Sequence, residues 1–314
     1  MNEQIEKILL NIDKVMIGKR NIAELSLVSL LAKGHVLLED VPGVGKTMLV
    51  KALAKSINAS FKRIQFTPDL LPSDVLGVSI YNPKTLAFEY REGPIMGNIV
   101  LADEINRTSP KTQSALLEAM EEATISIDGE TKALGQPFFV MATQNPIEYE
   151  GTYPLPEAQL DRFLLKMKMG YPTETEEYEL LTRMAEATPF AELTPVLHLD
   201  DILALQQQAE AVFIDATIRN YIVQIATATR NHKYIYLGAS PRASLALMRA
   251  CKAYALIQGR DYVTPDDVQY LAPYVFSHRL ILKPEARYDD MMPEQIMERI
   301  LAKVAVPARR VPVK

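Results

Sequence analysis

Cysteine is almost absent from this 314-residue chain, where Cys251 stands alone. A lone cysteine closes no disulfide within its own chain and builds no cysteine-based zinc site, so both frameworks are excluded. Histidine is scarce as well: His35, His198, His232 and His278 share no short ligand spacing, which argues against a dedicated transition-metal site. Long apolar runs are missing. The longest, Leu25 to Ala32, is interrupted by Ser26 and Ser29 and falls far short of the ~20 residues that span a bilayer. The chain opens Met1-Asn2-Glu3-Gln4-Ile5-Glu6, acidic where a secretory signal is basic, so a cytoplasmic protein is expected. Charge of one sign is not in great excess either. Lys and Arg number 34 against 39 Asp and Glu, a net of −5, with 48% apolar residues, the balance of a globular protein. A general nucleic-acid coat would be far more basic.

At roughly 150 residues per domain the length predicts about two domains. Ile5, Ile8, Leu9, Ile12 and Val15 repeat at helical spacing, and a second helical pattern runs over 21–33 until Gly34 stops it. Strands are expected at 35–39, 61–66, 98–103, 138–143 and 163–169, with helices at 48–57 and 110–122 between them. Strands alternating with helices imply a parallel α/β sheet covered on both faces. A hairpin is expected over 124–134, around Asp128-Gly129-Glu130. The texture changes at Gly170-Tyr171-Pro172-Thr173, where Thr173 and Glu176 form a candidate capping box. Beyond it only helical patterns follow, at 174–186, 200–211, 215–231, 241–258, 265–276 and 293–304. The expected division is an α/β domain over 1–172 and a helical domain over 173–314.

Chemistry concentrates in the first part. Asp40-Val41-Pro42-Gly43-Val44-Gly45-Lys46-Thr47 lies between an expected strand and an expected helix, where backbone N–H groups and the helix dipole can wrap a phosphate. The strict P-loop pattern begins with glycine, and Asp40 occupies that place here; Gly45-Lys46-Thr47 carries most of the specificity. A second motif, Ile99-Val100-Leu101-Ala102-Asp103-Glu104, delivers two adjacent acids to the end of a buried strand. Buried carboxylates need a reason. Mg²⁺ supplies one, with Asp103 holding the metal through water and Glu104 deprotonating the attacking water. Asn145, at the end of the strand 138–143, is positioned to touch a γ-phosphate or its water, though Asn-Pro is also an ordinary turn. Arg162 precedes a strand, and Arg242 sits in the first turn of a helix, where a cation opposes the macrodipole and so points to an anion. A surface ion pair is the alternative for both arginines.

The order Lys46-Thr47, Asp103-Glu104, Asn145, Arg162, Arg242 resembles that of an AAA+ ATPase. The wording of Leu38-Glu39-Asp40-Val41-Pro42-Gly43, Phe66-Thr67-Pro68-Asp69-Leu70-Leu71-Pro72-Ser73-Asp74, Ala102-Asp103-Glu104-Ile105-Asn106-Arg107, Ala142-Thr143-Gln144-Asn145-Pro146 and Gly238-Ala239-Ser240-Pro241-Arg242 resembles the MoxR family more narrowly, over about 3–305. That resemblance implies a P-loop NTPase αβα sandwich with a five-stranded parallel sheet, a smaller all-α lid, and insertions near 73–97 and 124–137. It implies ATP and Mg²⁺ as ligands and ATP hydrolysis as the activity. Pro42, Gly43, Val44, Gly45 and Met48 then line the phosphate turn, Lys46 contacts the β- and γ-phosphates, and Thr47 and Asp103 serve Mg²⁺. Glu104 activates water and Asn145 is sensor 1. Arg162 is an arginine finger reaching a neighbouring subunit, and Arg242 is sensor 2, acting in its own subunit or the next. Met16, Ile17 and Gly18 lie against adenine. The family implies a homo-oligomer, a hexameric ring, acting chaperone-like in the maturation of client protein complexes or in cofactor and metal insertion, beside a separate von Willebrand A domain protein.

A nucleic-acid motor of the MCM-like clade is the alternative. It wants basic inserted hairpins, yet 124–137 carries Asp128, Glu130 and only Lys132, a poor counterion-releasing surface. A protein-threading role is weakened by the lack of a glycine–aromatic–hydrophobic–glycine pore loop. Tyr81, Phe88 and Tyr90 in the first insertion can grip a partner, with core packing the plainer expectation.

Overall fold

Three segments, Val36–Leu38, Ile99–Ala102 and Phe139–Ala142, are apolar at every position and lose all their accessible surface, as central strands covered on both faces must. They form the middle of the sheet in a computed structural model that describes residues 1–41, 43–145, 152–186 and 189–307. In chain order the strands are β1 (Val36–Glu39), β2 (Phe61–Gln65), β3 (Gly77–Asn82), β4 (Ala87–Glu92), β5 (Ile99–Asp103), β6 (Thr124–Ile127), β7 (Glu130–Ala133), β8 (Phe139–Gln144) and β9 (Leu165–Met167). The first helices are α1 (Glu3–Asp13), α2 (Arg20–Leu31), α3 (Lys46–Ser56), α4 (Pro72–Leu76) and α5 (Pro110–Glu122). The five-stranded sheet runs β2-β5-β8-β1-β9, parallel throughout. The chain leaves β1 for the far edge at β2, returns through β5 and β8, and then crosses to β9 on the other side of β1. The crevice at the carboxyl ends, where this order reverses, is the place where open α/β sheets take ligands. The expected α/β sandwich with its five-stranded parallel sheet is therefore present.

Each insertion contains a hairpin. The first holds α4 and the antiparallel pair β3–β4, which the broken Pro/Gly pattern of the sequence concealed. The second is β6–β7, closed by Asp128 (φ 52°) and Gly129 (φ 82°), the two positive-φ positions that a type I′ turn demands. Core packing is not the fate of all three insertion aromatics. Tyr81 and Phe88 meet edge to face at 5.5 Å and are 49% and 74% exposed, while the Tyr90 hydroxyl donates to the Leu76 carbonyl at 2.6 Å.

Packing divides the chain into Glu3–Gln206 and a second unit of Gln207–Lys314 with Met1–Asn2. The five-stranded sheet ends before residue 172, but the segment after it stays with the sheet. The Val196 and Leu197 amides donate to the Ser56 carbonyl, and the Gln206 side chain donates to the Leu30 carbonyl at 2.8 Å. The Thr173–Glu176 capping box is formed in both directions, at 2.7 and 3.3 Å. The second unit is built on the helices Ala216–Arg230, Pro241–Ile257, Pro265–Phe276 and Pro293–Lys303, which bury Ile222, Leu247, Val268, Leu271, Phe276 and Met297. It also contains a two-stranded antiparallel sheet, Ile235–Leu237 with Ile281–Leu282, too short to register as periodicity. No helix among the described residues is long and apolar enough to cross a membrane.

Candidate functional site

The turn after β1 is held by the residue that broke the strict pattern. The Asp40 carboxylate accepts from the Val41 amide at 2.9 Å and from the Gly170 amide at 2.6 Å, so it latches the start of the turn to the exit of β9. An aspartate here is thus a structural anchor, and glycine would have no oxygen to offer. Gly43 (φ 89°) and Gly45 (φ 96°) take left-handed conformations that side chains resist. Gly45 is also the N-cap of α3 and provides no capping side chain, whereas Ser109 caps α5. The first amides of α3 therefore have no side-chain acceptor at the cap and face the cleft with the positive end of the helix dipole. Lys46 donates from Nζ to the Asp40 carbonyl at 2.8 Å. Burial pushes its ammonium below the ordinary lysine pKa, and the carboxylates of Asp103, Asp40 and Glu104 offset part of that shift.

Across the cleft stand the two acids at the end of β5. Asp103 Oδ1 accepts from the Thr143 hydroxyl at 2.7 Å, and Oδ2 pairs with Arg63 at 2.6 Å. Thr143, fully buried, also accepts from the Glu104 amide at 2.8 Å. Glu104 has φ 58°, a strained value for a residue with a Cβ and one that recurs at functional sites. Its Oε2 accepts from Gln65 at 3.0 Å and pairs with Arg107 at 2.8 Å. Arg107 thus serves as an ion-pair partner inside the chain.

Both walls line one cleft of about 440 Å³, with Asp40, Gly43, Gly45, Lys46, Thr47 and Met48 on one side and Asp103, Glu104 and Asn145 opposite. Lys51, Arg63 and Gln65 line it too, and sequence reasoning missed all three. Arg63 and Gln65 alternate on one face of β2, and the β2–β5 register sets Gln65 beside Asp103. That alternation was the available signal, but only the strand pairing gives it meaning. Met16 approaches the turn: a Cβ on Gly45 would lie 3.3 Å from its methyl carbon. Lys19, next to Ile17 and Gly18, donates from Nζ to the carbonyls of Met169, Gly170 and Tyr171 at 2.9, 3.1 and 3.2 Å. The segment 16–19 is thereby fixed beside the phosphate turn. Val44 is half-buried within that turn, and Pro42 lies outside the described residues.

Arg162 is half-buried and pairs through Nε with Glu121 of α5 at 3.1 Å, away from the cleft lining. Arg242 belongs to the second packing unit, in the first turn of Pro241–Ile257, whose N-cap Ser240 accepts from the Ala243 amide. Oxygen donors at Thr47 and Asp103 suit a hard divalent cation, and the uncapped amides with Lys46 suit a polyphosphate.

Comparison with known proteins agrees with this geometry. Residues 35–165 match the ATPase family associated with various cellular activities (AAA), and residues 227–300 match the AAA lid domain. The Bacillus subtilis protein YeaC is 63% identical over 300 residues, covering 96% of this chain and 94% of the relative. Chaperone MoxR1 of Mycobacterium tuberculosis is 45% identical over 312 residues, covering 96% of this chain and 82% of the relative. A crystal structure of a proposed ATPase from Cytophaga hutchinsonii superposes with TM-score 0.91 at 40% identity, covering 97% and 95% of the two chains. Motif order, sheet topology and these relatives agree, and the chain belongs to the MoxR family of AAA+ ATPases.

Proposed function

We propose that this protein binds Mg²⁺-ATP in the cleft and hydrolyses it to ADP and phosphate. The observation that supports this is the convergence of an uncapped helix start, Lys46 and the Asp103–Glu104 pair on one cleft. Amides of 43–48 and the Lys46 ammonium hold the phosphates, while Met16, Ile17 and Gly18 flank the base. Thr47 and Asp103 would hold Mg²⁺, which when bound neutralises phosphate charge. Glu104 takes a proton from the attacking water, whose oxygen bonds to the γ-phosphorus as the bond to the β-phosphate oxygen breaks. Asn145 orients the water or the γ-phosphate.

The working form is a hexameric ring in the cytoplasm. Arg162 leaves Glu121 to reach the ATP of the next subunit, and Arg242 meets the phosphates of its own or a neighbouring subunit. The relative named Chaperone MoxR1 supports a chaperone-like role. The family resemblance extends that role to maturation of client protein complexes, or cofactor and metal insertion, beside a separate von Willebrand A domain protein. Steady-state ATPase assays on mixed subunits test this reading. Arg162→Ala alone should bind ATP yet lose about 10³–10⁵ of its turnover, the usual range for an arginine finger. Mixing it with Lys46→Ala, after verified subunit exchange, should restore part of the rate, because an intact pocket then meets an intact arginine. No recovery at any ratio would sink the assignment of Arg162 to a neighbouring site.

A further inference from the structure

The backbone ladder between β5 and β8 stops at Ala102↔Ala142, and the ladder between β1 and β8 stops at Glu39↔Gln144. Asn145 lies three residues beyond the first ladder and one beyond the second, yet it lines the cleft. Two side-chain bridges take over where the strand pairing ends. Thr143 reaches from β8 to the acid pair at 103–104, as described above. In the opposite direction, Asn106 donates from Nδ2 to the Asn145 carbonyl at 3.2 Å. Asn106 sits in the 3-10 turn Ile105–Arg107 directly behind Glu104, and it is only 4% exposed. Of this buried amide, Nδ2 is used on the backbone of Asn145, while Oδ1 is buried with no hydrogen-bond partner among the described residues. The bridge is itself braced. The Asn106 carbonyl accepts from the Tyr153 amide at 2.7 Å, and Gln113 of α5 donates to the carbonyls of Ile105, Thr108 and Tyr153 at 3.1, 3.3 and 2.9 Å.

We propose that Asn106 is a positioning residue that fixes Asn145 relative to Glu104, so that the catalytic acid and the sensor move as one unit. This rests on the reading of the cleft as an ATP-hydrolysing site. Small displacements of a positioned group cost turnover far more than binding, so Asn106→Ala should lower kcat about tenfold or more. Its ATP affinity should stay within about threefold of the unsubstituted chain, since phosphate binding rests on the opposite wall.

A double-mutant cycle with Asn145→Ala, read as ATPase turnover of the assembled protein, separates positioning from general support of the fold. If Asn106 acts through Asn145, removing it from the Asn145→Ala background should change kcat by less than about twofold. Losses that multiply in the double variant would overturn the proposal, as would full turnover in Asn106→Ala. Asn106→Asp, which keeps the volume and loses the donor, provides the same cycle should the alanine variant fail to fold. If the unsubstituted protein hydrolyses no ATP, the site reading fails and this inference with it. Turnover with multiplying losses removes this inference alone.

Discussion

The two walls of the cleft are made of different material. The wall at 40–48 is backbone: two left-handed glycines, a helix start without a capping side chain, and one lysine resting on a carbonyl. The facing wall is side chain, with Asp103 and Glu104 held by Arg63, Gln65, Arg107 and Thr143 from three separate stretches of chain. A backbone wall recognises charge and shape whatever the state of the ligand. A side-chain wall can release and regrip its acids as the ligand changes. On the proposed reading, binding falls to the first wall and turnover to the second.

The largest effect that tests this division is on Glu104. Glu104→Gln keeps the volume and the contact with Gln65 but removes the base, so turnover should fall about 10²–10⁴-fold. ATP affinity measured by calorimetry should hardly move; a parallel loss of affinity would break the comparison. On the other wall, Lys46→Ala removes a charge-assisted contact to the phosphates and should weaken ATP binding by about a hundredfold. Equal affinities for Lys46→Ala and the unsubstituted chain would take Lys46 out of the site. The smallest effect concerns the brace. Thr143→Val strands a buried amide and a carboxylate oxygen, at a cost of about 1–3 kcal/mol. That corresponds to a fall in melting temperature of roughly 2–4 °C per kcal/mol, readable by calorimetry without nucleotide.

These walls also differ in how far they were legible in the sequence. Gly43, Gly45, Lys46 and Thr47 are contiguous, and a turn between strand and helix gives them meaning without any tertiary knowledge. Asp103 and Glu104 could be found as an acidic strand end. Arg107 is close enough in sequence for its ion pair to be expected. Arg63 and Gln65 could not be found, because they meet Asp103 and Glu104 only through the β2–β5 register, 40 and 39 residues apart in sequence. The same limit concealed Asn106, whose partner is the Asn145 backbone. Central strands were visible because burial on both faces leaves apolar runs, as in Phe139–Ala142. The hairpin β3–β4 was not, since Tyr81 and Phe88 are exposed aromatics and its edges carry Gly77 and Pro83. The sequence leaves Arg162 two readings, an anion contact or a surface ion pair; a pairing with Glu121 is the one seen within a single chain.

The latch between Asp40 and Gly170 spans 130 residues of sequence. Contacts of such separation close late, after the intervening chain has paid its loop entropy. A nascent chain that has exposed Lys46 and Thr47 but not yet Gly170 carries the phosphate motif without the anchor that shapes it. On the proposed reading, nucleotide binding is expected to require that β9 has docked against β1, so that ATP would favour chains whose sheet is complete.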